Sequence, residues 1–292
     1  MLATLTFLGT GTSMGVPTLG CRCTVCVSAV SPGGDPRNRR TRPSVRIDYA
    51  GHTVLIDTGP DFHAQAIRED LRRVDAVLYT HGHADHILGM DDLRPLSFGV
   101  PGNLPLYADE ATASAIEHVF AYTFSPANRY ATSARVHLHR LDETPGAGVD
   151  LFGACFRRIP VLHGRQRISA FRFGSAAYLT DTSAIPDESI PLLQDLDLLI
   201  LDALRREPHP THSNLENSIR LVEELKPRRA LFTHMSHDLD HGPTDAALPP
   251  HIRLAYDGLQ VQFEIAESEA AQSEIAQLEI AQLDGAKSDI AS

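Results

Sequence analysis

Three histidines and one aspartate fall within six residues, at His81, His83, Asp85 and His86. The preceding segment from Val74 to Tyr79 is largely apolar and predicts a buried strand, so these side chains lie on the turn where that strand ends. There His81 and His83 point the same way and can share one metal ion, while Asp85 and His86 are displaced far enough to hold a second. Imidazole nitrogen suits zinc, iron or manganese, and carboxylate oxygen suits the harder of these ions. The pattern predicts a fold that presents metal ligands at a strand end; the alternative is a chance cluster of histidines in a solvated loop.

Other predicted strands also end in residues that could bind or orient a metal. His163 and His234 each directly follow a run of apolar residues. Asp181 also follows a short apolar strand, although such an aspartate is usually a turn residue. Asp57 closes another strand, where a buried carboxylate needs hydrogen-bond donors. Asp57 is therefore a candidate for orienting a ligand histidine, with a turn-forming Asp-Thr-Gly as the alternative.

Three of the four cysteines form a C-x-C-x-x-C pattern at Cys21, Cys23 and Cys26. An odd number of cysteines so close together cannot pair off into disulfides, and the pattern favours a zinc knuckle. A tetrahedral structural zinc site needs a fourth ligand from elsewhere in the chain. Cys155 is one candidate, but its apolar neighbours predict the interior of a strand. His237 is the better candidate, because it lies three residues after His234 and would let one loop serve both metal centres.

His212 lies just before a predicted helix. Ser213 and Glu216 have the spacing of a capping box, with Ser213 as the N-cap, and the helix that follows is predicted to stop at Pro227. A polar residue at a helix N-terminus is well placed to meet an anion. We therefore expect His212 to contact an anion such as a phosphate; a purely structural capping role is the alternative.

The length of 292 residues and the hydrophobic content of 42% are compatible with one large domain, which we expect to span residues 1–263. The remaining residues, 264–292, repeat Glu-Ile-Ala-Gln-Leu. A five-residue repeat gives no single apolar stripe on a helix, so this segment is predicted to be a low-complexity acidic tail, weakly helical or disordered. A partner-binding or oligomerising helix is the alternative for the tail.

The first residues lack the basic region of a signal peptide, and no apolar run approaches the length needed to span a membrane. The expectation is a soluble, cytoplasmic protein with no membrane partner. The net charge of −11 argues against a sequence-independent grip on nucleic acid. A local basic stretch between Arg37 and Arg46 could still bind phosphate, although a salt-bridged loop is the favoured interpretation.

The sequence resembles the metallo-β-lactamase superfamily of hydrolases, whose signature is H-x-H-x-D-H. Within that superfamily it is most similar to the phosphoribosyl 1,2-cyclic phosphate phosphodiesterases of phosphonate breakdown. The matching features are Leu8-Gly9-Thr10-Gly11, Cys21-x-Cys23-x-x-Cys26, Thr80 to His86, Leu179-Thr180-Asp181-Thr182, Thr233-His234-x-Ser236-His237 and Tyr256-Asp257-Gly258. The resemblance covers nearly all of residues 1–263 and implies an α/β protein with the four-layer αββα sandwich of the superfamily.

The resemblance also implies the ligands and the reaction. The implied cofactors are two divalent active-site ions, Mn²⁺ or Zn²⁺, and one structural Zn²⁺ in the knuckle. Three histidines would hold the first active-site ion and one aspartate with two histidines the second, with a further aspartate bridging: His81, His83, His163; Asp85, His86, His234; Asp181. A hydroxide bridging the two ions would attack a small phosphodiester, with Asp85, Asp181 and His212 as catalytic residues. The resemblance implies that His212 serves the phosphate or the leaving group, as stabiliser or general acid.

The sequence leaves three alternative functions open. One is an RNA-processing phosphodiesterase of the same superfamily, which the acidic charge disfavours. The second is a non-catalytic binding protein that resembles the pyrroloquinoline-quinone biosynthesis protein; the presence of all seven ligands favours catalysis instead. The third is a β-lactam or lactone hydrolase, for which the cysteine knuckle gives no support. The expected partner is a small phosphodiester substrate rather than nucleic acid, and a homodimer is compatible with the sequence.

Overall fold

The computed structural model describes residues 1–125 and 130–266, which form two seven-stranded sheets. The strands are β1 (Leu2–Gly9), β2 (Ser44–Tyr49), β3 (His52–Ile56), β4 (Ala76–Leu78), β5 (Leu104–Ala108), β6 (Val136–Arg140), β7 (Gly148–Leu151), β8 (Ala154–His163), β9 (Gln166–Phe173), β10 (Ala176–Leu179), β11 (Leu198–Asp202), β12 (Arg229–Thr233), β13 (Ile252–Leu254) and β14 (Gln260–Glu264). The helices are α1 (Thr24–Ser28), α2 (Phe62–Arg68), α3 (Ala84–Ile87), α4 (Arg94–Ser97), α5 (Glu110–Val119), α6 (Ala121–Phe124), α7 (Leu215–Leu225) and α8 (His241–Ala247). Short 3₁₀ helices span Pro36–Asn38, Met90–Leu93 and Asp187–Leu193.

Each sheet is formed by strands that are nearly consecutive in the chain. The first runs β14-β1-β2-β3-β4-β5-β6, and the second runs β13-β12-β11-β10-β9-β8-β7. Strands β3 to β6 run parallel to one another, as do β10 to β13, whereas β2 and β9 are antiparallel to β3 and β10. The carboxyl ends of parallel strands meet at one edge of a sheet, so residues that follow β3, β4, β10, β11 and β12 can converge.

The layers are held together by strands that bury both faces. In β11, Leu198 and Ile200 pack into the core between the sheets, whereas Leu199 and Leu201 pack beneath α7. On the first sheet, Val77 of β4 packs with residues of the helices outside that sheet. Helices therefore cover the outer face of each sheet. The arrangement is the αββα sandwich expected from the sequence, and that prediction is confirmed.

Two local predictions need correction. The sequence from Ala108 to Tyr122 predicts a single helix, but the chain forms α5 and α6 there, because Phe120 leaves helical geometry with φ −107° and ψ 38°. The N-cap of α7 is Asn214, not Ser213: the Asn214 side chain accepts a hydrogen bond from the Asn217 backbone N–H. Ser213 is buried and its own N–H donates to the Thr182 carbonyl, which ties it to the chain after β10 before the helix can begin.

The acidic tail predicted for 264–292 lies outside the described residues from position 267 onward. Strand β14 runs through Glu264, and Ile265 is buried in the core between the sheets. Among the helices of residues 1–125 and 130–266, none combines the length and apolar character required to cross a membrane.

Candidate metal centres

The H-x-H-x-D-H segment follows β4 and turns immediately into α3. His83 is the N-cap of α3, so Asp85 and His86 lie in its first turn. The Nε2 atom of His81 lies 3.0 Å from Nδ1 of His83. His163 ends β8, and ligand atoms of all three histidines lie within 4.8 Å of one another. The fold therefore gathers three imidazole nitrogens at a spacing that suits one ion.

A second group of ligand atoms lies beside the first. It contains Asp85, His86, Asp181 and His234, again within 4.8 Å of one another. The Asp181 carboxylate lies 3.2 Å from Nε2 of His86 and 3.3 Å from Nε2 of His234. Asp181 also belongs to a group with His163 on the side of the first cluster. Its carboxylate thus lies between the two groups, where a bridging ligand would be.

Three of the site residues adopt left-handed backbone geometry directly after a strand. Asp57, Asp181 and His234 have φ values of 64°, 55° and 56°. A residue other than glycine pays a conformational cost in this region, and such residues persist only where the surrounding structure enforces them. These three positions directly follow β3, β10 and β12, and their side chains meet around His86 at the carboxyl ends of those strands.

The protonation preferences of the second group reflect its excess of carboxylate. Burial opposes charge throughout, yet the carboxylates Asp85 and Asp181 outweigh it and raise the pKa of His86 well above its ordinary value. Burial also opposes ionisation of Asp181, but the neighbouring charges of His234 and His86 hold its pKa well below the ordinary range. The group therefore requires nearby positive charge, which divalent ions supply.

The first group has the opposite preference. Burial lowers the pKa of His81 well below its ordinary value, and burial also lowers the pKa values of His83 and His163. These rings are held neutral, and only a neutral imidazole offers a lone pair to a metal.

The hydrogen bonds of the buried ligand atoms give separate evidence on whether these residues fit metal ions. Within the described ranges, the buried Nε2 atoms of His86 and His234 make no well-oriented hydrogen bond, although the Asp181 carboxylate lies 3.2 Å and 3.3 Å away. A buried polar atom without a partner is costly, and such atoms in a folded protein call for an explanation. Ions bound among the nitrogens and carboxylate oxygens would satisfy both atoms. The residues present therefore fit two divalent ions.

Residues outside the two groups fix the orientation of the ligands. Asp57 is fully buried; its carboxylate accepts hydrogen bonds from the Thr80 backbone N–H at 2.8 Å, the Thr80 hydroxyl at 2.8 Å and Nδ1 of His86 at 2.7 Å. The Thr211 carbonyl accepts from Nδ1 of His163 at 2.7 Å. In both histidines Nδ1 is engaged, which leaves Nε2 for a metal.

His212 lies against the second group, and Asp202 holds it. The His212 ring is parallel to that of His234, at 4.7 Å between centroids. Its Nδ1 atom lies 3.2 Å from the carboxylate of Asp202, the fully buried last residue of β11. Burial, followed by the charge of His234, lowers the pKa of His212 to about 4. Sequence reasoning missed Asp202, although its position after an apolar strand is the signal that singled out Asp57.

The cysteine pattern forms a separate cluster. Nδ1 of His237 lies 3.2 Å from the sulfur of Cys21, 3.6 Å from Cys23 and 3.2 Å from Cys26. These three cysteines form no disulfide. Cys155 lies in β8, outside this group. The four ligand atoms lie within 4.8 Å of one another, and three thiols with one imidazole are a donor set that suits zinc.

The basic stretch is largely neutralised by nearby carboxylates. Arg37 pairs with Asp35, Arg42 pairs with Asp61, and Arg46 pairs with Asp48. Arg40 is buried rather than exposed. These contacts match the salt-bridged loop that the sequence favoured over a phosphate-binding surface.

Comparison with known proteins relates this geometry to a family. The profile of the beta-lactamase superfamily domain matches residues 52–235. The crystal structure of a diphosphatase from the PhnP family is 53% identical, with a TM-score of 0.84; the match covers 91% of this chain and 99% of that one.

Two curated relatives are longer than this chain. The octanoyltransferase of Porphyromonas gingivalis (strain W83) is 35% identical over 259 residues, which are 87% of this chain and 50% of that protein. The mitochondrial ribonuclease Z 2 of Schizosaccharomyces pombe is 24% identical over 255 residues, which are 78% of this chain and 37% of that protein. This chain therefore spans half or less of each of these two relatives. Together with the match to the diphosphatase, the profile shows that the chain belongs to the beta-lactamase superfamily and, within it, to the PhnP family.

Proposed function

We propose that this protein is a metal-dependent phosphodiesterase with two divalent ions in its active site. His81, His83 and His163 would hold one ion, and Asp85, His86 and His234 the other, with Asp181 bridging. The observation that carries the proposal is the position of the buried Asp181 carboxylate between two adjacent groups of ligand atoms. Nitrogen and carboxylate donors together suit Mn²⁺ or Zn²⁺. The knuckle of Cys21, Cys23, Cys26 and His237 would hold a structural Zn²⁺.

Two ions bound in this way would lower the pKa of a water molecule and polarise the oxygens of a phosphoryl group. The protein itself orients the ligand histidines. Asp57 keeps the proton of His86 on Nδ1, and the Thr211 carbonyl does the same for His163. All of the proposed ligands except the exposed His83 are buried, which limits bulk water at the site and strengthens the charge interactions there.

His212 would serve the leaving group or the phosphate. Asp202 engages its Nδ1 atom at 3.2 Å, which leaves Nε2 as the nitrogen that can meet substrate. A phosphate anion nearby favours the protonated ring and would raise its pKa. A protonated His212 can donate to the oxygen that leaves phosphorus, or hold a non-bridging phosphate oxygen.

We propose a small phosphodiester as the substrate, with phosphoribosyl 1,2-cyclic phosphate as the leading example. The neutralised arginines and the net charge of −11 leave little basic surface for a long nucleic acid. A diphosphate linkage is a second candidate, because the relative at 53% identity is a diphosphatase. Both linkages present a phosphorus atom with one leaving oxygen to the same pair of ions.

Hydrolysis measured together with metal content tests this proposal. We expect the protein with Mn²⁺ or Zn²⁺ to hydrolyse bis(p-nitrophenyl) phosphate, and to act on either the cyclic phosphate or a diphosphate diester but not on a β-lactam. Asp181→Ala should lose most activity and release metal while remaining folded. Asp187→Ala, at an exposed carboxylate nearby in the chain, is the matched control and should behave as wild type. Protein that holds both active-site ions and hydrolyses none of the phosphate esters would contradict the proposal.

A further inference from the structure

Arg40 is a fully buried cation that the proposed chemistry does not use. Its side chain is 1% exposed, and within residues 1–125 and 130–266 it forms no ion pair with a carboxylate. Burial lowers its pKa to about 10, so the guanidinium stays charged at neutral pH. A buried charge is costly unless its donors are satisfied. Within the described residues its Nε atom has no hydrogen-bond partner, so the two terminal nitrogens carry its main contacts, and their partners are informative about its role.

The guanidinium binds the loop that follows β12. One terminal nitrogen donates to the Ser236 carbonyl at 2.7 Å, and the other donates to the Leu239 carbonyl at 2.7 Å. These carbonyls lie on either side of His237, the imidazole of the cysteine knuckle. The same loop begins with His234, a proposed active-site ligand. Two hydrogen bonds from one rigid, planar group fix both the position and the orientation of this segment.

The backbone of Arg40 binds Val16, which packs beneath the cysteine half of the knuckle. Its N–H donates to the Val16 carbonyl at 2.9 Å, and the Val16 N–H donates to the Arg40 carbonyl at 2.8 Å. Val16 in turn packs with Val25 and Cys26 in a small apolar cluster. Arg40 thus reaches the cysteines indirectly, through Val16, and holds the loop that carries His237 directly, through its side chain.

Gly11 allows Arg40 to pack closely against the segment that contains Met235. A Cβ atom at Gly11 would lie 2.8 Å from the Arg40 carbonyl oxygen and 2.9 Å from its Cβ. Gly11 forms an isolated bridge with Met235, which joins His234 to the loop that Arg40 holds. Only a residue without a side chain fits between Arg40 and this segment.

We propose that Arg40 is a positioning residue that places His234 and His237 together, and so couples the zinc knuckle to the active-site ions. This inference rests on the proposed metal sites. Removing the guanidinium frees the Ser236 and Leu239 carbonyls, so the loop loses its register and both histidines shift. Residues that orient metal ligands typically change metal affinity or activity by about 10- to 100-fold when replaced.

Metal affinity at each centre tests the coupling. Arg40→Met keeps the apolar stem and removes the charge; Arg40→Lys keeps the charge but can reach fewer acceptors; Arg39→Met, at an exposed neighbour, is the control. Zinc affinity at both centres is measured by competition with a chromophoric chelator. The thiolate-to-metal absorption of the Co²⁺-substituted knuckle reports its geometry directly.

We expect Arg40→Met to bind zinc about 10- to 100-fold more weakly at both centres, with an altered Co²⁺ spectrum. Arg40→Lys should be intermediate, and Arg39→Met unchanged. Wild-type affinities and spectrum in Arg40→Met would overturn the inference even if its Tm falls, as would a change confined to one centre. If Arg40→Met does not fold, wild-type affinity at both centres in Arg40→Lys overturns it. Wild-type protein that binds metals but hydrolyses no phosphodiester would count against the proposed function and leave this test intact.

Discussion

Asp57→Asn isolates the role of a buried carboxylate that touches no proposed ion. The carboxylate accepts three hydrogen bonds, two from Thr80 and one at 2.7 Å from Nδ1 of His86. Asparagine has nearly the same shape, but one oxygen becomes an amide that donates. That amide favours a His86 tautomer with the proton on Nε2, the nitrogen that must offer its lone pair to a metal.

The size of the effect follows from this contact. A hydrogen bond to a charged group is worth about 1.5–3 kcal/mol, which corresponds to roughly 10- to 150-fold in metal affinity. Replacing the partner of a ligand histidine typically costs about 10- to 100-fold. We therefore expect one active-site ion, the one proposed to be held by His86, to bind about 10- to 100-fold more weakly. The ion proposed for His81, His83 and His163 should be affected much less.

Chelator competition measures the two affinities, and circular dichroism checks the fold. Asp75→Asn is the matched control: Asp75 is a buried carboxylate just before β4, and it accepts a hydrogen bond from the Thr53 backbone N–H at 2.9 Å. Asp75 lies at the opposite end of β4 from the metal ligands, so Asp75→Asn should alter stability without altering metal affinity. Equal affinities for both ions in wild type and Asp57→Asn would refute the argument that Asp57 orients His86.

Three further predictions concern other parts of the molecule. His212→Ala should lower kcat by about 10²–10⁴-fold for a substrate with a poor leaving group but only slightly for bis(p-nitrophenyl) phosphate; unchanged kcat/KM for both would remove His212 from the site. Burial first, then Arg37 and Arg40, lower the pKa of His241 to about 4. The unfolded chain takes up this proton near pH 6.5, so folding loses about 3 kcal/mol as pH falls from 6.5 to 4. His241→Gln should lose that much less than wild type in denaturant titrations, and equal losses would contradict the assignment. Cys26→Ser should remove one zinc equivalent per chain by elemental analysis, and an unchanged zinc content would exclude the knuckle.

The candidate ligands that follow strands could be predicted from the sequence, because a buried strand appears as a short apolar run and the ligand lies at or just after its end. That pattern indicated His81, His163 and His234, and the resemblance to a hydrolase superfamily added the sandwich fold. Asp202 carried the same signal as Asp57, but nothing local indicated that its partner would be His212, ten residues later in the chain.

Other features depend on contacts that sequence patterns do not reveal. Ser213 satisfies the local rule for a helix cap, yet its bond to the Thr182 carbonyl shifts the cap to Asn214. The left-handed backbone at Asp181 is uncommon for a residue other than glycine, and no local sequence pattern predicts it. Arg40 could not be distinguished from its exposed neighbours, because its carbonyl partners lie about 200 residues away in the chain.

The proposed function requires two ions, with Asp181 as their shared ligand, to act together on a phosphodiester. Titration of protein that retains its knuckle zinc but lacks active-site metal tests this claim most directly. Bound Mn²⁺ and hydrolysis of bis(p-nitrophenyl) phosphate are measured at each step, with Asp181→Ala alongside. We predict that turnover appears only as the second Mn²⁺ binds. Asp181→Ala should show no turnover at any Mn²⁺ concentration. Full turnover with a single active-site ion, or no turnover with both bound, would contradict the account.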